Sequence, residues 1–172
     1  MIRFRAQWSV FLATVGCLIL LSSCNPFAPE LDNSLPENLF GDPHTIEGFF
    51  QSFRSAYQFK DTTSYGQLLA TEFVFSYHNY DRGLDLQWGR DEEMTYTGKL
   101  LLSAEHLDLL WGNIIDSSGS DTIFNVTRAF SLDVTLNLGE VLHTDGRAIF
   151  LLRRKTKDDI WRAVLWKDES NF

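Results

Sequence analysis

Few side chains in this sequence have the type and spacing to do chemistry. His44, His78, His106 and His143 stand far apart, with no i, i+4 pair and no H-E-x-x-H run, so no zinc site is visible. Phosphate-binding glycine loops, G-x-S-x-G elbows and calcium loops are missing as well, and neither a metal nor a cofactor is expected. The candidates that remain are suited to lining a pocket. Arg128 is the one charged residue on an otherwise apolar strand face, where an unpaired charge is expensive. It either meets an anionic ligand or pairs with an acid and reaches water. Tyr77 could offer its hydroxyl to a ligand or simply rim the core. Trp88, Trp111 and Trp166 could line a cavity, although tryptophans in a small domain also serve as packing. Asp168 shares a strand face with Trp166, Val164 and Arg162, and is expected to be a solvated end-of-strand acid. No catalytic residue can be named from these.

The cysteines speak to location instead. The chain has two, Cys17 and Cys24. Arg3 and Arg5 precede the apolar run Val10–Leu21, whose twelve residues are too few to span a bilayer, which needs roughly 20. The run therefore reads as the hydrophobic region of a secretory signal. It ends in Leu21-Ser22-Ser23-Cys24, which resembles the lipobox of bacterial lipoproteins. That resemblance implies cleavage before Cys24 and acylation of its sulfur and new amino group, an attachment made stable by several acyl chains. Asn25 is not the aspartate that retains such proteins at the inner membrane in enteric bacteria, so the outer membrane is the expected address. With Cys17 removed and Cys24 acylated, the mature chain has no thiol for redox, nucleophilic or metal chemistry.

Charge excludes a further class. The chain carries 15 basic and 23 acidic residues, a net −8, and loss of residues 1–23 removes two arginines and no acid. An acidic surface with no basic stripe argues against nucleic acid, whose affinity rests on neutralised phosphates. The cluster Arg153–Lys157, "RRKTK", is the sole basic run and reads as a solvated turn.

These residues are positioned by a simple plan of segments: a signal over 1–23, a tether over 24–43 and one domain over 44–172. The four prolines Pro26, Pro29, Pro36 and Pro43 all fall in the tether, which should hold the domain off the membrane. Asp42 and Pro43 predict an N-cap and first helical position. Ile46, Phe49, Phe50, Phe53 and Tyr57 then form one apolar helical stripe. A second helix is predicted from Asp61 or Thr62 through Tyr65, followed by a strand with Phe73, Phe75 and Tyr77 on one face. Asn79–Gly89 reads as a loop or short irregular strand, and 91–102 as a helix with acids at its start. Strict alternation from Phe124 to Leu138 predicts a long antiparallel strand, flanked by strands over 107–115, 147–153 and 160–167.

This order of elements resembles the nuclear transport factor 2-like superfamily. The match lies in "GRAIFLLRRKTKDDIWRAVLWKD", with Trp161, Arg162, Trp166 and Asp168 at the motif positions, and in Asp61, Tyr65 and "EFVFSY" upstream. It covers roughly residues 45–168. The resemblance implies an α+β fold whose cone-shaped, curved antiparallel sheet wraps around N-terminal helices, and it implies dimers formed through the open sheet face. In superfamily enzymes an Asp–His or Asp–Tyr set works in the cone on a hydrophobic substrate, and no such set is evident here. The expected function is thus a membrane-anchored, non-catalytic module of the cell envelope that binds a hydrophobic ligand or an envelope protein. The alternative is an isomerase- or cyclase-like enzyme acting on a small hydrophobic substrate.

Overall fold

The structure, a computed structural model, describes residues 41–170 except 81, 137 and 138. Cys24, Asn25, the signal segment and the tether as far as residue 40 lie outside the described residues.

Helix α1, Ile46–Gln58, begins one turn later than Asp42 and Pro43 suggest. Thr45 is its cap, because a first-turn N–H needs an acceptor three residues upstream, and Thr45 Oγ1 lies 2.9 Å from the Gly48 N–H. Asp42 is taken up locally, its Oδ1 accepting from the His44 N–H at 3.0 Å. The predicted stripe is the buried face: Phe49, Phe50, Phe53 and Tyr57 are all inside. Helix α2, Thr62–Gln67, starts as expected at Asp61, whose carboxylate accepts from the Thr63 and Ser64 N–H groups. Helix α3 spans Arg90–Ser103.

Among the described residues six strands form one curved sheet: β1 Leu69–Asn79, β2 Leu84–Gly89, β3 Ala104–Gly119, β4 Ile123–Leu136, β5 Val141–Arg153 and β6 Arg162–Ser170. Their spatial order is β2-β1-β6-β5-β4-β3. Neighbours are antiparallel except β1 and β6, which run parallel and carry a register shift between Leu69 and Val74. Within Asn79–Gly89, expected as a loop or short irregular strand, Leu84–Gly89 is a strand in regular register, with Phe75 opposite Trp88 and Tyr77 opposite Leu86. Gly83, at φ 62°, makes the reversal that lets β2 fold back on β1.

The long alternation of β4 maps onto its two faces as the pattern requires. Val126, Arg128, Phe130 and Val134 point into the core, while the residues between them are half-exposed or exposed. Against that face lies an aromatic nucleus centred on Phe53. Its ring is 5.2 Å from Tyr57, 5.3 Å from Tyr65, 5.5 Å from Trp111 and 5.4 Å from Trp166, mostly edge to face. Each such ring withdraws from water with a gain of about 1.5–3 kcal/mol. That burial holds α1 inside the curve of the sheet.

Candidate functional site

A cavity of ≈ 210 Å³ opens where the sheet curls past α3. Phe53 and Tyr57 come from α1, Phe75 from β1 and Trp88 from β2. Helix α3 adds Glu93, Tyr96, Thr97 and Leu100. The far wall is Leu109 and Trp111 of β3, Phe130 and Leu132 of β4, Thr144 of β5, and Trp166 with Asp168 of β6. Strand pleat explains the last pair: residues two apart share a face. Trp88 stacks on Phe75 at 4.5 Å, and Trp166 meets the same ring edge-on at 4.9 Å, so the apolar wall is continuous and rigid.

Two carboxylates stand in this apolar surround, in opposite situations. Glu93 is 3% exposed and fully served. Its Oε1 accepts from the Tyr65 hydroxyl at 2.6 Å and the Thr97 hydroxyl at 2.7 Å, and its Oε2 from the Trp88 indole N–H at 2.7 Å. Burial pushes the Tyr57 and Tyr65 hydroxyls to hold their protons far above the ordinary tyrosine range, and the Glu93 charge adds to this. Both phenols are therefore donors at any physiological pH.

Asp168 is not the solvated strand-end acid expected from its position. β6 continues to Ser170, and the carboxyl faces the cavity. Burial raises its pKa first; hydrogen bonds from Ser170 oppose this, and the charges of Glu169 and Glu93 add to the rise. Its Oδ1 has no hydrogen-bond partner, and neither do the Trp166 Nε1 or the Thr144 Oγ1. Buried polar atoms are satisfied in the large majority of cases. Here three unsatisfied ones all belong to residues lining one cavity.

The sequence candidates divide. Trp88 and Trp166 line the cavity. Tyr77 does not: it shares the Phe75 face of β1 but sits one step beyond the cavity, its ring 5.6 Å from Trp88 and 6.1 Å from Phe75. Arg128 lies outside it too and has an acid for a partner. Its Nη1 donates to Glu47 Oε2 at 2.8 Å, its Nε to the Gly112 carbonyl at 2.9 Å, and its guanidinium carbon sits 4.7 Å from the Phe50 ring centroid. It ties α1 to β3 and β4. Glu93, Thr97, Tyr96 and Thr144 were not singled out by sequence. Glu93 carried a readable signal, since Trp88 and Thr97 lie five residues before and four after it. No group of His, Cys, Asp or Glu among the described residues is arranged to hold a metal ion.

No family model and no curated protein matches the sequence. Solved structures do match in shape. A conserved protein from Planctomyces limnophilus aligns with a TM-score of 0.64 at 14% identity, over 73% of this chain and 93% of that one. A candidate scytalone dehydratase from Novosphingobium aromaticivorans gives 0.61 at 14%, over 74% and 82%. A candidate dehydratase of the nuclear transport factor 2-like family from Streptomyces avermitilis gives 0.56 at 16%, over 71% and 91%. At such identities the likeness establishes the fold: this chain has the nuclear transport factor 2-like fold.

Proposed function

We propose that the chain is an exported, envelope-anchored binding domain whose cone cavity takes a small, mostly apolar molecule with one polar end. The observation that carries this is the trio of unpartnered buried atoms, Thr144 Oγ1, Trp166 Nε1 and Asp168 Oδ1, in an otherwise apolar chamber. Leaving such atoms bare costs about 1–3 kcal/mol each. A ligand hydroxyl or carbonyl held by the indole N–H and the threonine hydroxyl would recover that loss, while the aromatic walls hold its apolar body. Acylation of Cys24 supplies the anchor, and the outer membrane is the address favoured by Asn25. Support for both lies in the sequence "LLSSCN".

A second reading follows from one observation. Asp168 combines a burial-raised pKa with a place in the wall of an apolar cavity that the unpartnered Trp166 N–H also lines, the setting in which a carboxyl exchanges a proton with a bound substrate. In that reading Trp166 and Thr144 hold the developing oxyanion, and the protein acts as an isomerase or dehydratase-like catalyst.

Native mass spectrometry of the chain purified from its own host tests the binding reading. A co-purifying small molecule, depleted in Trp166→Phe and Thr144→Val but kept in Tyr77→Phe, supports it. An empty cavity in every preparation, or occupancy indifferent to these changes, overturns it. Conversion of the released molecule by the wild type but not by Asp168→Asn would favour catalysis over storage. For the anchor, Cys24→Ser should move the protein from the membrane to the soluble fraction, and a variant that stays on the membrane would count against acylation.

A further inference from the structure

The cavity reading leaves the basic run after β5 unused. In space that run is more than a solvated turn. Arg153, Arg154 and Lys155 meet Arg90 from the start of α3 and Arg162 from the start of β6 around a cleft of ≈ 990 Å³. Glu72 is the one carboxylate among the residues lining it. Five cations gathered from three elements in a chain of net charge −8 repel one another, and that repulsion is a cost until an anion arrives.

The guanidinium groups are held, but mostly not neutralised. Arg90 Nη2 donates to the Gly66 carbonyl at 2.9 Å and Arg162 Nε to the Gln67 carbonyl at 3.2 Å. Arg154 Nε donates to the Asp121 carbonyl at 2.6 Å, its Nη1 donates to the His44 carbonyl at 3.0 Å, and its guanidinium lies 4.3 Å over the Trp161 ring. Arg153 alone pairs with Glu72. Asp159, whose charge reaches Lys155 and Arg162, has one carboxyl oxygen already engaged by the Thr156 N–H and hydroxyl. A carbonyl orients a guanidinium and takes one or two of its five N–H groups without removing its charge. The remaining fork matches a phosphate oxygen pair. Thr63 and Thr122 add hydroxyls to the same wall.

We infer that this cleft is a binding site for a phosphate-bearing anion, supplied by a lipid headgroup or by a soluble phosphate. The polypeptide enters the domain beside it: the Trp161 N–H donates to the Pro43 carbonyl, next to the His44 carbonyl that Arg154 holds.

The test is calorimetry on the full chain in neutral detergent at about 0.15 M salt, where exposed charges are screened beyond roughly 8 Å. Inorganic pyrophosphate and monomeric dihexanoyl phosphatidylglycerol are titrated separately. Binding of pyrophosphate assigns the site to soluble phosphates, and binding of the phospholipid alone assigns it to headgroups. In either case Arg90→Gln with Arg162→Gln should weaken binding about tenfold or more, the effect of losing ~1.4 kcal/mol. Lys155→Glu, on an exposed turn, should do the same without disturbing the fold. The Arg Nε–H resonances of the wild type should shift on titration. No heat and no shift with either probe, equal affinity in both variants, or binding that exists only below that salt concentration overturns the inference.

Discussion

Glu93 is the residue on which the inner wall of the cavity turns. Three donors from three elements, Tyr65, Trp88 and Thr97, converge on its two oxygens. Hydrogen bonds to a charged acceptor contribute about 1.5–3 kcal/mol each, and removing the acceptor strands all three donors in the core. Glu93→Ala should therefore cost about 3 kcal/mol or more in urea unfolding, whereas Tyr65→Phe, which removes a single donor, should cost about 1.5 kcal/mol. Equal small losses in both would mean that the network is not formed. Asp168 behaves in the opposite sense. The folded chain binds its proton more tightly than the unfolded chain does, because burial raises the pKa. Its contribution to stability is complete below the ordinary aspartate value of about 4 and is lost as pH rises through the raised value. Asp168→Asn should thus be more stable than the wild type at pH 7, with the gap closing as pH falls towards 4. A gap that widens on acidification would contradict the burial of this carboxyl.

At the scale of elements, two helical glycines separate local preference from tertiary contact. Replacing glycine by alanine inside a helix gains about 1 kcal/mol on intrinsic grounds. Gly98, in α3, has open space where a Cβ would stand, so Gly98→Ala should show that gain. Gly48, in the first turn of α1, has the Asp42 carbonyl oxygen in the space a Cβ would fill. Gly48→Ala should be destabilising instead, since the chain before the Thr45 cap must move away. Thermal melts of the two variants on either side of the wild type would confirm the packing of that turn. The same division explains what could be read from sequence. The α1 stripe, the Asp61 cap and the β4 alternation are legible because their signals repeat locally, at 3.6 or 2 residues. β2 is legible only as a choice between loop and short strand, because its residues are mostly exposed and its pairing with β1 is what makes it a strand. The parallel β1–β6 contact joins segments some ninety residues apart and leaves no local mark. Asp168 differs from its sequence expectation for that reason: the burial of its carboxyl comes from elements far away in the chain, whereas its neighbours in sequence resemble an ordinary strand end. Trp88 and Trp166 can be nominated for a wall by residue type alone, while the role of Arg128 as an internal tie depends on Glu47, 81 residues away.

For the molecule as a whole, the unsatisfied atoms of the cavity set stability against occupancy. If Thr144 keeps its hydroxyl for a ligand, the empty protein is less stable than an isosteric apolar version of itself. Thr144→Val should then raise the melting temperature of the ligand-free chain, by roughly 4 °C for about 1 kcal/mol in a domain of this size. Occupancy should reverse the order. A ligand at a hundredfold excess over its dissociation constant stabilises the form that binds it by about 2.7 kcal/mol, and the variant, lacking one polar contact, gains less. The measurement is a pair of melts on each protein, as purified from the host and after the co-purified molecule has been removed. Crossing of the two rankings would tie the bare polar atoms to binding. If Thr144→Val lowers the melting temperature in both states, the hydroxyl already has a partner within the fold, and the cavity would be a packing defect of the cone, with its aromatic walls serving the core alone.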